Sequence, residues 1–132
     1  MTKLVAILST GKGSWAEVAS LINKPEFEEV YILTNTFGKE KFTNLPDKKI
    51  EVFAFDFDKD ISVLAKEFYD ALHTHISFGD VALNMSSGTG KEHMALFSAM
   101  MRLGTGIRLV TLVNNSLHEL SPHIDSESGK FV

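Results

Sequence analysis

The chain has 132 residues, of which 44% are hydrophobic, 10% aromatic and 23% charged, and this composition predicts a single globular domain. The formal net charge of −4 argues against non-specific binding of duplex nucleic acid. The absence of cysteine excludes disulfides, thiol nucleophiles and cysteine-based metal sites. No apolar run approaches the roughly 20 residues of a membrane helix. We therefore expect a cytoplasmic protein with no membrane partner.

The first half of the chain alternates apolar runs with helical patterns. Strands are predicted where β-rich apolar runs are bounded by polar or turn residues. The first predicted helix has Ser14 as its N-cap and Glu17 three residues later, which is the spacing of a capping box. The predicted strands are 4–10, 29–34 and 50–56, a short or irregular helix is expected around 39–43, and an amphipathic helix is predicted over 61–76.

The second half of the chain continues the same alternation. A fourth strand is predicted over 80–84, a helix from about Lys91 to Arg102, and a fifth strand over 106–114. This pattern predicts a Rossmann-like three-layer α/β sandwich with a mainly parallel sheet of five or six strands. Residues 1–115 form the predicted ligand-binding domain, and residues 116–132 are a polar extension of it that could be a partner-dependent segment, a hairpin or disordered.

Two loops that contain glycine and hydroxyl side chains follow the first and fourth strands. Loop one (STGKGSW) spans residues 9–15, and loop four (NMSSGTGKEH) spans residues 84–93. Glycine lets backbone N–H groups approach an anion, and a helix N-terminus attracts one. Such residues also serve merely to make turns and cap helices. If strands one and four are neighbours, both loops face one crevice.

Three common motifs do not account for these loops. A P-loop needs glycine six residues before its lysine, but Ala6 and Met85 stand at those positions. The segment 11–16 fits the dinucleotide pattern G-x-G-x-x-A, yet the end of strand two lacks the acid that would bind a ribose. No Gly-x-Ser-x-Gly nucleophile elbow is present. No histidine pair has convincing metal spacing, so the sequence predicts no metal and no cofactor.

The segment 84–96, NMSSGTGKEHMAL, resembles the signature of CARF domains, the CRISPR-associated Rossmann folds. Loop one is similar to the other ligand loop of that family, and the likeness covers residues 3–114 in order and size. The family usually places its basic residue directly after a Gly-Thr or Gly-Gly pair, whereas here Gly90 precedes Lys91. The resemblance implies a homodimer that binds a cyclic oligoadenylate in type III CRISPR signalling.

Stand-alone members of that family include ring nucleases, in which a ribose 2′-hydroxyl attacks the phosphodiester without a metal. The resemblance and the loop chemistry together give two sets of expected site residues. The candidate catalytic residues are Lys12, Lys91 and His93. The candidate ligand-binding residues are Thr10, Gly11, Gly13, Ser14, Trp15, Asn35, Ser86, Ser87, Gly88, Thr89 and Gly90.

Simpler interpretations of these residues remain open. His93 is a candidate proton donor to the leaving 5′-oxygen, because an imidazole with a pKa near neutrality suits that task. The alternative is that the His93 side chain only packs or faces solvent. Trp15 and Phe37 could stack on adenine or simply pack, and Asn84 could hold its loop. For the whole chain, the alternatives are a dinucleotide-binding module of the NAD type and a regulatory subunit with a vestigial pocket.

Overall fold

The computed structural model describes residues 2–9, 12–41, 46–77 and 79–120. Six strands and four helices alternate along the chain until the last strand. They are β1 (Thr2–Leu8), α1 (Lys12–Ile22), β2 (Phe27–Thr34), α2 (Thr36–Lys41), β3 (Lys49–Ala54), α3 (Ile61–Leu72), β4 (Asp80–Asn84), α4 (Gly90–Leu103), β5 (Gly106–Val113) and β6 (Ser116–Glu119).

The strands form one six-stranded sheet in the order β3-β2-β1-β4-β5-β6. All neighbouring pairs are parallel except β5 and β6, which are antiparallel. The prediction of a Rossmann-like α/β fold with a mainly parallel sheet is therefore confirmed. β6 forms the hairpin that was one of three alternatives for the polar tail, and residues 121–132 lie outside the described part of the chain.

β1 lies at the centre of the sheet and divides the core into two layers. Val5 and Ile7 pack with the buried faces of α3 and α4, whereas Leu4, Ala6 and Leu8 pack with α1. All five side chains are fully buried, as expected for a parallel strand that is covered on both faces. Each of the larger ones, the Leu, Ile and Val side chains, contributes about 1.5 to 3 kcal/mol on burial.

Several boundaries differ from the sequence-based expectation. α1 begins at Lys12, so Ser14 lies inside the helix and the prediction that it caps α1 was wrong. α3 ends at Leu72 rather than at Ile76, because residues 73–75 turn back. Ile76 is nevertheless buried, which explains why the helical pattern continued to it. β1 ends two residues before the predicted end, at Leu8.

Capping residues are present at the start of α2 and at both ends of α4. The Asn35 side-chain oxygen accepts a hydrogen bond from the Gly38 amide at 2.7 Å, which satisfies an amide in the first turn of α2. α4 ends at Leu103, and the Gly104 that caps it has a φ of 73°, a left-handed conformation that favours glycine. α4 begins at Gly90, close to the predicted start, and Thr89 is its N-cap.

Candidate functional site

Loops one and four meet at the carboxyl ends of β1 and β4. These strands are parallel neighbours, and the amide of Ser9 donates a hydrogen bond of 2.8 Å to the Ser87 hydroxyl. Both serines are buried. α1 and α4 cover opposite faces of the sheet, so this is the point where the connections diverge and where open α/β sheets bind ligands. The loops that leave β1 and β4 thus begin side by side, at the position where such sheets form a crevice.

A buried amide holds the start of loop four. Asn84 is fully buried, and its Nδ2 donates to the Val110 carbonyl at 2.9 Å and to the Ser86 hydroxyl at 3.0 Å. The Asn84 side-chain oxygen accepts from the Ser86 amide at 3.4 Å. These contacts give Asn84 the role of holding loop four against β5.

Gly88 is required by the packing of loop four itself. Its φ is +100°, in the region that disfavours residues with a Cβ. A Cβ at this position would lie 2.7 Å from Cγ2 of Ile7 and 3.2 Å from Nε2 of His93. The glycine thus allows loop four to lie directly over the end of β1.

The N-terminus of α4 already has a carboxylate beside it. The Thr89 amide donates to Oε1 of Glu92 at 3.2 Å, and the Thr89 hydroxyl donates to the other Glu92 oxygen. Glu92 is only 5% exposed. The amides of Gly90 and Lys91 open the helix and therefore have no acceptor within it. Among the described residues, no ion pair includes the half-buried Lys91.

His93 is held by the backbone of loop four. Its Nε2 lies 2.6 Å from the Ser87 carbonyl oxygen, and because a carbonyl can only accept, Nε2 carries the proton and donates it. The ring is half-buried, and Nδ1 is the nitrogen left for proton transfer. The contact makes His93 a support of loop four, and its role as proton donor stays a prediction.

Aromatic side chains extend the crevice from loop one towards β2. The Trp15 indole N–H donates to the Ser9 carbonyl, and its ring lies 6.1 Å from that of Phe37, tilted by 56°. Phe37 is 56% exposed. Asn35, a predicted ligand residue, uses its side-chain oxygen to hold the first turn of α2.

The other predicted ligand residues differ in their exposure and in whether the structure describes them. Ser86, Thr89 and Gly90 are exposed, whereas Ser87 is buried. In loop one, Thr10 and Gly11 lie outside the described residues. Lys12, Gly13 and Ser14 are described only as the first three residues of α1.

The part that Glu17 plays in the site is not predicted by the sequence. Its Oε1 accepts from the Thr111 hydroxyl at 3.0 Å and from the Leu112 amide at 3.1 Å, so it joins α1 to β5. Burial acts to raise the pKa of Glu17, but hydrogen bonds outweigh burial and hold the pKa below its ordinary value of 4.5. The donors are Ser86, the Leu112 amide, Thr111 and Asn84.

Glu92 was also missed, although the sequence carries its signal. Thr89 and Glu92 have the Thr-x-x-Glu spacing of a capping box immediately before a helix. Glu17 has the same spacing from Ser14, but that local signal predicted a capping box, whereas its partners on β5 are 94 and 95 residues away along the chain.

Two kinds of feature are not found in the part of the chain that the structure describes. No group of three or more histidine, aspartate or glutamate residues is arranged to hold a metal ion. No helix there combines the length and the apolar character needed to cross a membrane.

Comparison with known proteins gives no assignment: the sequence matches no protein-family model, and no curated protein matches it significantly.

The Ser87→Ala substitution should destabilise the junction of the two loops. It leaves the buried Ser9 amide without its acceptor, so the free energy of unfolding should fall by about 1 to 3 kcal/mol. Urea unfolding measures this change. Ser98→Ala is the control, because Ser98 is exposed on α4. Equal decreases in the free energy of unfolding of the two variants would show that the hydrogen bond between Ser9 and Ser87 contributes nothing to stability.

Glu17 should make the stability of the fold dependent on pH. Because its pKa is lowered in the folded state, its contribution is complete above the ordinary value of 4.5. The contribution is lost as the pH falls through the lowered pKa. Urea unfolding between pH 7 and pH 3 should show a smaller acid-induced loss for Glu17→Gln than for the wild type. Glu28→Gln is the control, because it removes a charge from an exposed position on β2. If it reduced the acid-induced loss of stability as much as Glu17→Gln does, the pH dependence could not be assigned to Glu17.

Proposed function

We propose that the crevice between loops one and four binds a phosphate group of a nucleotide ligand. The observation that carries the proposal is the hydrogen bond between the Ser9 amide and the Ser87 hydroxyl. It joins two loops that are almost 80 residues apart in sequence, at the topological position where parallel α/β sheets bind ligands.

The donors around this crevice suit a phosphate. The opening amides of α4 at Gly90 and Lys91 lie at the positive end of its dipole, which contributes about 0.3 to 1 kcal/mol to the binding of an anion. The half-buried Lys91 adds a positive charge at the same helix end.

The ligand we propose is a cyclic oligoadenylate bound between two copies of the chain. Support comes from the resemblance of loop four to the CARF signature and from the pairing of that loop with loop one across β1 and β4. A ring with two-fold symmetry presents the same phosphates to each subunit of a symmetric dimer. The chain would then act as a receptor for this messenger in type III CRISPR signalling.

Cleavage of the ring is the chemistry to test at this crevice. A ribose 2′-hydroxyl would lose its proton to solvent while its oxygen attacks the adjacent phosphorus, and the bond from phosphorus to the 5′-oxygen would break. The products are a 2′,3′-cyclic phosphate and a 5′-hydroxyl, which takes up a proton. Lys91 or Lys12 would stabilise the charge that develops on the phosphoryl oxygens. For His93 to supply the proton, its Nδ1 would need to be protonated, because Nε2–H donates to the Ser87 carbonyl.

A second candidate is a regulatory subunit whose pocket no longer performs chemistry. The position of Glu92 favours it, since this carboxylate accepts from the Thr89 amide and hydroxyl at the start of α4. A negative charge there opposes the binding of a second anion. The NAD-type alternative gains no such support, because β2 ends at Thr34 and is followed by Asn35, so no acid stands at its end.

Binding is tested by titrating the chain with cyclic tetra-adenylate in a calorimeter. If Lys91 contacts a phosphate, Lys91→Ala should weaken binding about ten- to one-hundredfold. Lys49→Ala is the control because it removes the same charge from the start of β3, at the opposite edge of the sheet. The absence of heat with the wild type would contradict the proposed ligand, and equal affinities for the two variants would remove Lys91 from the site.

Cleavage is tested by incubating the protein with cyclic tetra-adenylate in the presence of a chelator and separating the products by chromatography. Ring nuclease activity predicts linear products with 2′,3′-cyclic phosphate ends, and predicts their loss in Lys12→Ala or Lys91→Ala. Binding without any product would contradict cleavage and favour the regulatory candidate.

A further inference from the structure

A separate cavity of about 310 Å³ lies at the carboxyl ends of β2 and β3. Asn35 and Phe37, which follow β2, and Phe55, Asp56, Phe57 and Asp58, which follow β3, contribute to its lining. The contact between Trp15 and Phe37 connects it to loop one. The volume is at the lower end of those of small-molecule sites.

The walls of this cavity suit a flat, aromatic ligand. Phe55 and Phe57 are each held edge-on by the fully buried Phe68, at centroid distances of 4.9 and 6.2 Å. Phe37 exposes more than half of its surface at the other wall. Aromatic side chains bind nucleobases by stacking because every base offers a π face.

The polar groups of the cavity combine acceptors with an amide donor. Asp56 accepts a hydrogen bond of 3.0 Å from the Asp58 amide through Oδ1. Among the described residues neither carboxylate belongs to an ion pair. The Asn35 oxygen is occupied by the Gly38 amide, so Asn35 offers its Nδ2 donor. Two carboxylates repel phosphate, and they favour a ligand that donates hydrogen bonds.

We propose that this cavity binds the base of the nucleotide, and that the base is a purine with an exocyclic amine. The inference rests on the proposed function, because it places the base beside a phosphate held at loops one and four. The amine donates to Asp56 or Asp58, and the Asn35 amide donates to a ring nitrogen. The cavity lies at the ends of both β2 and β3, and the ends of β2 and β4 are two strand spacings, or about 10 Å, apart, a distance that one nucleotide can bridge.

Amide NMR of the full chain separates the base site from the phosphate site. Ribose 5-phosphate should shift the amide signals of loop four only, whereas adenosine 5′-monophosphate should shift those signals and also those of Phe37 and Asp58. Signals that move in loop four alone with both compounds would overturn the base site and leave the phosphate site standing. Signals that move only at the cavity would overturn the phosphate site, and no response at either place would overturn both.

The role of the carboxylates is tested with inosine 5′-monophosphate, which carries an oxygen in place of the adenine amine. The wild type should bind the adenosine nucleotide about tenfold more tightly than the inosine nucleotide. Asp56→Asn and Asp58→Ala are tested singly and together, since either carboxylate can accept from the amine, and the double variant should bind the two nucleotides equally. The Asn side chain at position 56 keeps an oxygen for the Asp58 amide.

Asp47→Asn is the matched control for the carboxylate variants, because the exposed Asp47 precedes β3 and so lies at the amino end of that strand, away from the cavity at its carboxyl end. It should retain the tenfold preference. Equal binding of the two nucleotides to the wild type, or a preference that survives in the double variant, would overturn the assignment of an amine-bearing base.

Discussion

The parallel pairing of β1 with β4 is the constraint on which the site depends. β1 is buried on both faces, and its alternate side chains contact α1 on one side and α3 and α4 on the other. The chain therefore leaves β1 and β4 towards opposite faces of the sheet, and a crevice opens between the two connections. The hydrogen bond from Ser9 to Ser87 fixes the floor of that crevice.

Loop four is held on two sides before any ligand arrives. Asn84 joins it to the Val110 carbonyl on the β5 side, and His93 joins it to α4 through the Ser87 carbonyl. Gly88 allows the backbone to approach Ile7. A loop constrained in this way loses little conformational entropy on binding, so more of the interaction energy remains as affinity. The same contacts show that Asn84, Gly88 and His93 maintain the conformation of loop four.

Local patterns in the sequence were enough to predict the fold class. Continuous apolar runs identified β1 and β4, because both faces of these strands are covered, and the glycine-containing loops marked their ends. The role of Glu17 could not be predicted in this way. Its spacing from Ser14 satisfied a local rule, but the carboxylate finds its donors on β5, at Thr111 and Leu112. Such a long-range partner is fixed by tertiary packing and leaves no periodic signal.

The distribution of carboxylates decides how a nucleotide could lie across this sheet. The ends of β4 and β3 are three strand spacings apart, about 14 Å, which exceeds the screening length of about 10 Å at 0.1 M salt. Asp56 and Asp58 therefore oppose an anion in their own cavity but have little effect on one at loop four. Glu92 lies within loop four and is not screened in this way, but the amide that its carboxylate accepts from is that of Thr89, not those of Gly90 and Lys91. The charges therefore favour the proposed phosphate near Lys91 over a position beside β3, and the proposed base would then lie towards the aromatic cavity.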